Sequence, residues 1–292
     1  MTFTIVTGAN AAYWTILADL INSIRSKPGG RALAISVLDL GLDEEQLTQL
    51  EQHVTAIVKP GWDIDFPDQA EQADWFKAMV ARPFLPEHFP GYDAYLWIDA
   101  DAWVQDLSVL DGYLAAAARG KLAITPELDR CMIPDWAQIT GRMVGMSLET
   151  YRLGWDEELA KTLARRPMLN SGVFALAAGA PHWAAWRESL RDALQRTSNF
   201  MVEQTALNHA VHTHELPASY LPLYCNWLCH VALPWVDKGA RRLVEPEAPH
   251  QPLGIVHLTH KTKNGDYELP AVTGGTVTTS LRFNRLDGVL TV

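Results

Sequence analysis

Apolar positions in the first 125 residues alternate between short continuous runs and helical spacings. Phe3–Gly8 (FTIVTG) is an apolar run closed by glycine, the pattern of a buried strand. In Tyr13–Arg25 the apolar residues Ile16, Leu17, Leu20, Ile21 and Ile24 fall at helical spacing. Leu33–Gly41 (LAISVLDLG) predicts a second strand, and LDEEQLTQLEQHV an amphipathic helix capped by Asp43 with acids in its first turn. Thr55–Lys59 predicts a third strand. Strand, helix, strand, helix, strand at this spacing predicts right-handed βαβ units and an α/β fold with a mostly parallel central sheet flanked by helices. After Trp62 a polar stretch precedes a helix near Ala73–Ala81. The strand AYLWI then ends at two aspartates, and Lys121–Thr125 (KLAIT) is a further strand.

The second half is less regular and loop-rich. It holds NSGVFAL (Asn170–Leu176), a Trp-rich helix near His182–Ala193, EQTALNHAV (Glu203–Val211) and the strand-like LGIVHL (Leu253–Leu258). Arg142–Pro167 is the candidate for an inserted helical segment. With no internal repeat and no low-complexity linker, residues 1–292 read as one domain.

Composition narrows the function. The chain is 48% hydrophobic with a net charge of −10, a poor general match for nucleic acid or anionic lipid. No nucleic-acid partner is expected. The opening MTFTIVTGAN has no basic region before its apolar run, so no signal peptide is expected. No apolar run reaches about 18 residues, so no transmembrane helix is expected, and SLRFNRLDGVLTV at the C-terminus shows no membrane anchor. Three cysteines, Cys131, Cys225 and Cys229, are too few for a disulfide framework and fit a reducing, cytoplasmic setting. Cys225 and Cys229 with His230 also suggest a zinc cluster, but YCNWLCHVAL is mostly apolar and buried thiols explain it.

The two aspartates carry the chemistry. In an extended chain, residues two apart point the same way, so Asp99 and Asp101 can converge on one point. Ligands of open α/β sheets bind at the carboxyl ends of strands. Two close carboxylates repel, and one stays protonated unless a cation or donor lies between them. Oxygen ligands favour magnesium or manganese, and manganese also accepts an imidazole. The alternative is loop capping.

Further pieces give the D-x-D a context. VTGANAAYW, LNSGVFAL, VEQTALNHAV and IVHLTHKTK occur in that order around it. Together they resemble GT-A nucleotide-sugar glycosyltransferases, particularly glycosyltransferase family 8. That resemblance implies an Mn2+ (or Mg2+) cofactor held by Asp99, Asp101 and His257. It implies a UDP-sugar donor, with residues 1–125 as the nucleotide-binding half and 126–292 as the sugar and acceptor half. Thr7, Ala9 and Asn10 fall where the family meets the base, and Tyr13 where an aromatic ring stacks on the uracil. The family's acidic pair is absent there, because Asn10 and Ala11 replace it. Ala100 lies between the metal ligands, and Lys77 or Arg82 supplies a basic donor contact. Asn170 and Ser171 belong to the N-S-G motif on the donor sugar, and Asp129 falls where an acid contacts sugar hydroxyls. Gln204, with Glu203 in place of the usual aspartate, lies on the reacting face. Lys263, six residues after His257, contacts the diphosphate. His260 stands at the usual glycine position, and Thr262 and Asn264 depart from the flanking pattern.

Each piece also has a structural explanation. N-S-G makes a turn before a strand, E-Q-T caps a helix, a strand-end histidine is structural, and Tyr13 is a core aromatic. Trp183 and Trp186, at i and i+3, read as core. Trp136, Trp155, Trp227 and Trp235 lie where an acceptor docks. The family resemblance implies retaining transfer of a hexose to a glycan, lipid-linked glycan or protein acceptor, by same-face attack or through a covalent intermediate on Glu203. The competing functions are a sugar-nucleotide nucleotidyltransferase, a non-catalytic binding protein of the same fold and a metal-dependent hydrolase. The first usually has a glycine-rich basic phosphate loop, which VTGANAAYW lacks.

Overall fold

A computed structural model describes residues 1–283 and 290, with side chains left out at 134–140. β1 (Phe3–Ala9), α1 (Trp14–Arg25), β2 (Ile35–Asp39), α2 (Glu44–Glu51) and β3 (Ala56–Val58) form the two predicted crossovers. α2 starts where Asp43 closes a capping box: its carboxylate accepts from Gln46 N at 2.8 Å, and Gln46 Oε1 accepts from Asp43 N at 3.1 Å. α3 (Phe76–Ala81), α4 (Leu85–His88), β4 (Ala94–Ile98), β5 (Ala102–Val104), α5 (Val109–Ala117) and β6 (Leu122–Pro126) follow. Then come α6 (Trp136–Gly154), α7 (Glu157–Leu163), β7 (Leu169–Ala177), α8 (His182–Leu194), α9 (Val202–Thr213) and β8 (Ala218–Tyr220). The chain continues through β9 (Trp227–Leu228), β10 (Trp235–Asp237), β11 (Arg242–Val244), β12 (Ile255–His257), β13 (Asp266–Pro270) and β14 (Thr276–Ser280).

The main sheet runs β3-β2-β1-β4-β7-β6-β8. Its pairs are parallel except at β7, which is antiparallel to both β4 and β6. Alternation along β4 explains why this strand is apolar throughout. Tyr95 and Trp97 enter one core with Phe174, Trp186 and Leu207, while Leu96 and Ile98 enter the other with Leu17, Ile21 and Tyr113. Both faces of the sheet are covered, so alternation gives way to a continuous apolar run. Trp183 and Trp186 are core residues, stacked at 6.2 Å.

The predicted insertion at Arg142–Pro167 is the α6–α7 pair, which begins earlier, at Trp136. The strand expected at Leu253–Leu258 shortens to β12. It lies outside the main sheet, in a three-stranded sheet ordered β5-β12-β9. Cys225 and Cys229 are buried thiols in apolar clusters. No helix of the described residues is long and apolar enough to cross a membrane. Most of the C-terminal stretch assessed for an anchor, 284–289 and 291–292, lies outside the described residues.

Candidate functional site

β4 sits beside β1 in the middle of the sheet, and its carboxyl end carries the D-x-D. Asp99 prolongs the ladder by donating its N–H to Gly172 O at 2.8 Å, and Ala102 N then donates back to Asp99 O at 3.0 Å. The two carboxylates therefore converge through a tight turn, not along an extended strand. β5 leaves that turn and pairs antiparallel with β12, with His257 opposite Ala102. Leu258 N donates to Asp101 O at 2.8 Å. This pairing brings a histidine from residue 257 to the aspartates near residue 100.

Ligand atoms of Asp99, Asp101 and His257 lie within 4.8 Å of one another. His257 Nε2 is 3.2 Å from Asp101 Oδ1 and 3.8 Å from Asp99 Oδ2. His257 Nδ1 lies 3.0 Å from Asn226 Oδ1. A proton on Nδ1 makes that hydrogen bond and leaves Nε2 as the atom that can ligate a metal; without a cation, burial opposes a proton on Nε2, but Asp101 and Asp99 outweigh it and raise the His257 pKa. Gly172 leaves room for this meeting. A Cβ there would lie 2.4 Å from His257 Cε1 and 2.7 Å from Asp99 Oδ2. Two carboxylates and an imidazole fit a divalent cation such as manganese.

The electrostatics of the trio are split. Burial raises the Asp99 carboxyl, Arg82 opposes the rise and Asp101 adds to it; the net direction is up. Burial also acts on Asp101, but His257 and Lys263 outweigh it and hold that carboxyl well below the usual range. Lys263 Nζ lies 2.8 Å from Asp101 Oδ2. The two carboxylates thus behave as a repelling pair that an added cation would relieve.

A second network adjoins the trio. Arg82, at the carboxyl end of α3, stacks on Trp97 at 4.7 Å and pairs with both Asp99 and Glu203. Ser171 Oγ donates to Glu203 Oε2 at 2.9 Å. Glu203 is 1% exposed, and burial pushes its carboxyl up to about 7 despite Arg82. Gln204 is held at both ends of its amide. Its Oε1 accepts from Ser171 N at 3.1 Å, and its Nε2 donates to Glu127 Oε1 at 3.1 Å. Asn170 Nδ2 donates to the same Glu127 oxygen at 2.9 Å. Asn170 Oδ1 accepts from Gly172 N at 3.0 Å and from Asn226 Nδ2 at 2.9 Å. Burial raises the Glu127 carboxyl against these donors.

Of the residues singled out from sequence, Asp99, Asp101, His257, Lys263, Arg82, Asn170, Ser171, Glu203 and Gln204 come together here. Ala9 and Asn10 close the adjacent strand β1, and Asn10 Oδ1 accepts from Tyr13 N at 3.2 Å. Tyr13 is 39% exposed beyond that end, not buried as a core aromatic would be. Others are not brought in. Lys77 pairs with Asp74 at 2.6 Å and lies over Trp62. Asp129 accepts from Cys131 N at 2.9 Å, a local turn contact, while Glu127 two residues earlier meets Asn170 and Gln204. Thr7 is fully buried within β1, and Ala100 is buried in the core. Trp227 is buried, Trp155 and Trp235 stack on His209 and His250, and the Trp136 side chain lies outside the described residues.

Glu127, Asn226 and Trp97 were missed. Asn226 had one available signal, a polar residue within the apolar YCNWLCHVAL. Glu127 had none, because an acid two residues from Asp129 at a strand end is equivalent by alternation.

No protein-family model and no curated protein matches this sequence. Solved structures do. Apo WbbM, a bifunctional glycosyltransferase, matches at TM-score 0.52 and 18% identity, over 76% of this chain and 39% of its own. This chain thus spans well under half of WbbM. An active-site mutant of LgtC matches at 0.52 and 14%, over 88% and 87%. Mouse xyloside xylosyltransferase 1 matches at 0.51 and 12%, over 88% and 97%. The chain has the fold of the GT-A glycosyltransferases.

Proposed function

We propose that this GT-A fold serves glycosyl transfer: the protein moves a hexose from a UDP-sugar to an acceptor hydroxyl, retaining the anomeric configuration, with Mn2+ or Mg2+ as cofactor. The observation that carries this is the convergence of Asp99, Asp101 and His257 at the carboxyl end of β4, with Lys263 on one flank and a locked carboxamide network on the other. The solved glycosyltransferases of the same fold support it.

Asp99, Asp101 and His257 hold the cation, which when bound supplies Lewis-acid charge to the diphosphate. Lys263 adds a point charge on the same leaving group. Preorganised charge of this kind typically contributes about 3–4 kcal/mol per well-placed group. Tyr13 offers its exposed ring to the base, beside Ala9 and Asn10. Arg82, Asn170, Ser171 and Gln204 hold the donor sugar. The bond from the anomeric carbon to the diphosphate oxygen breaks, and the acceptor oxygen bonds to that carbon from the same face. The acceptor proton passes to the departing diphosphate oxygen. Same-face attack is favoured because both carboxamides are neutral and feeble nucleophiles. Glu203 gives its Oε2 to Arg82 and Ser171, and its Oε1 is buried without a hydrogen-bond partner, out of contact with solvent. Glycans, lipid-linked glycans and proteins all offer the hydroxyl this chemistry needs.

Calorimetry of UDP binding with and without Mn2+ tests the proposal, repeated on Asp101→Ala and His257→Ala. Metal-dependent binding that both variants lose is the expected result. Absence of UDP binding under every metal condition sinks the UDP-sugar assignment.

A further inference from the structure

Glu127 lies outside the metal trio, yet a line of hydrogen bonds leads from it to the ligand His257. Each step crosses between elements. Glu127, just after β6, accepts at Oε1 from Asn170 Nδ2 on β7 at 2.9 Å. Asn170 Oδ1 accepts from Asn226 Nδ2, ahead of β9, at 2.9 Å. Asn226 Oδ1 lies 3.0 Å from Nδ1 of His257, at the end of β12. The opposite ring nitrogen, Nε2, faces Asp101 and Asp99.

The line has one direction. A carboxylate oxygen only accepts, and a side-chain amide has one accepting end and one donating end. Glu127 therefore turns the Asn170 NH2 group toward itself and the Asn170 oxygen toward Asn226. Asn226 in turn presents its own oxygen to the imidazole. Gly172 N donates to the same Asn170 oxygen at 3.0 Å and holds the same sense. Bulk water does not reach these links, because Asn170, Asn226 and His257 are all buried. Glu127 Oε1 also accepts from Gln204 Nε2 at 3.1 Å, so withdrawing one oxygen leaves two buried amides without their acceptor. A metal-ligating histidine commonly takes its orientation from a carboxylate or carbonyl on its other ring nitrogen. Here two asparagines stand between the carboxylate and the ring.

We propose that Glu127 is a positioning residue for the metal site: acting through Asn170 and Asn226, it fixes the rotation of the His257 ring and keeps Nε2 on the cation. This rests on the metal-dependent function proposed above and adds a residue that reaches the imidazole only through two intervening side chains. A direct effect of the Glu127 charge on the cation is the competing explanation.

Two conservative variants separate reach from charge. Glu127→Gln keeps an accepting oxygen at the same reach and loses the charge. Glu127→Asp keeps the charge and withdraws the oxygen by one methylene. Mn2+ affinity is measured by calorimetry, with and without UDP, in both variants and again in the Asn226→Ala background. The glutamine variant is expected to bind Mn2+ within about twofold of wild type, and the aspartate variant about tenfold more weakly. With the line already cut by Asn226→Ala, Glu127→Asp should cost less than about a further twofold. A glutamine variant as weak as the aspartate variant, or weaker, overturns the proposal. So does an aspartate variant that binds as wild type does, or one whose loss is as large in the Asn226→Ala background, since that places the effect outside the line. Wild type that binds no Mn2+ under either condition removes the metal-dependent function and the positioning role with it. Wild type that binds Mn2+ but not UDP removes the donor assignment alone, and the positioning role is then decided by Mn2+ without nucleotide.

Discussion

Gly172 limits how closely β4, β7 and β12 can bring their side chains together. A methyl group there meets the His257 ring at 2.4 Å and the Asp99 carboxylate at 2.7 Å, so both must shift. Gly172→Ala is therefore expected to cost about 1–3 kcal/mol of stability by overpacking. It should also weaken Mn2+ binding about tenfold or more by displacing two ligands; calorimetry with Mn2+ alone checks this. Glu203 makes a different prediction. Its carboxyl lies near 4.5 when unfolded and about 7 when folded, so its contribution to stability is full below about 4.5 and is lost as pH rises through about 7. Glu203→Gln cannot titrate. The stability of wild type relative to the variant should thus fall between pH 4.5 and 7, by at most about 3 kcal/mol. A difference that does not move with pH would mean that Arg82 keeps Glu203 ionised throughout. The D-x-D and the late histidine were legible as candidates because residue type and strand-end position limit their roles. The partners that orient them were not. Asn226 and Glu127 act through contacts 31 to 77 residues away in sequence, at positions where local spacing carries no information.

Among the elements, legibility followed burial geometry. β1, β2 and β4 are buried on both faces and read as unbroken apolar runs, and α2 announced its start through Asp43 and the acids that follow it. β9 to β12 have two or three residues each, too few for any period to appear. Yet β12 delivers His257, and its place between β5 and β9 makes the site. Asn226, just before β9, links that small sheet to the main one: it touches His257 Nδ1 and donates to Asn170 on β7. Asn226→Ala should leave the strands paired but free the imidazole to rotate or change tautomer. The expected result is Mn2+ affinity lowered about 10–100-fold. A chemical-shift change at His257 in the metal-free protein would report the lost Nδ1 hydrogen bond directly. Unchanged Mn2+ affinity would show that β12 alone fixes the ring.

The whole molecule is organised so that neither half owns the site. Asp99 and Asp101 come from the first 125 residues; Asn170, Gln204, Asn226, His257 and Lys263 come from the rest. The sheet enforces this, because β7 from the second half lies between β4 and β6 from the first. We therefore propose one domain over 1–292, in which 1–125 and 126–292 are functional halves and not separate folding units. A cut at 125/126 would strip β4 of its partner on one side and expose an apolar edge carrying Trp97 and Ile98. Such an edge aggregates. Residues 1–125 alone should then show no cooperative melting transition. The full chain should unfold in one step, with tryptophan fluorescence and far-ultraviolet circular dichroism coincident. UDP with Mn2+ should move that single transition upward, by about 2.7 kcal/mol of added stability at a hundredfold excess over Kd. Two separated transitions, with only the first shifted by UDP, would show that the nucleotide half folds alone and that β7 is not the keystone its position implies.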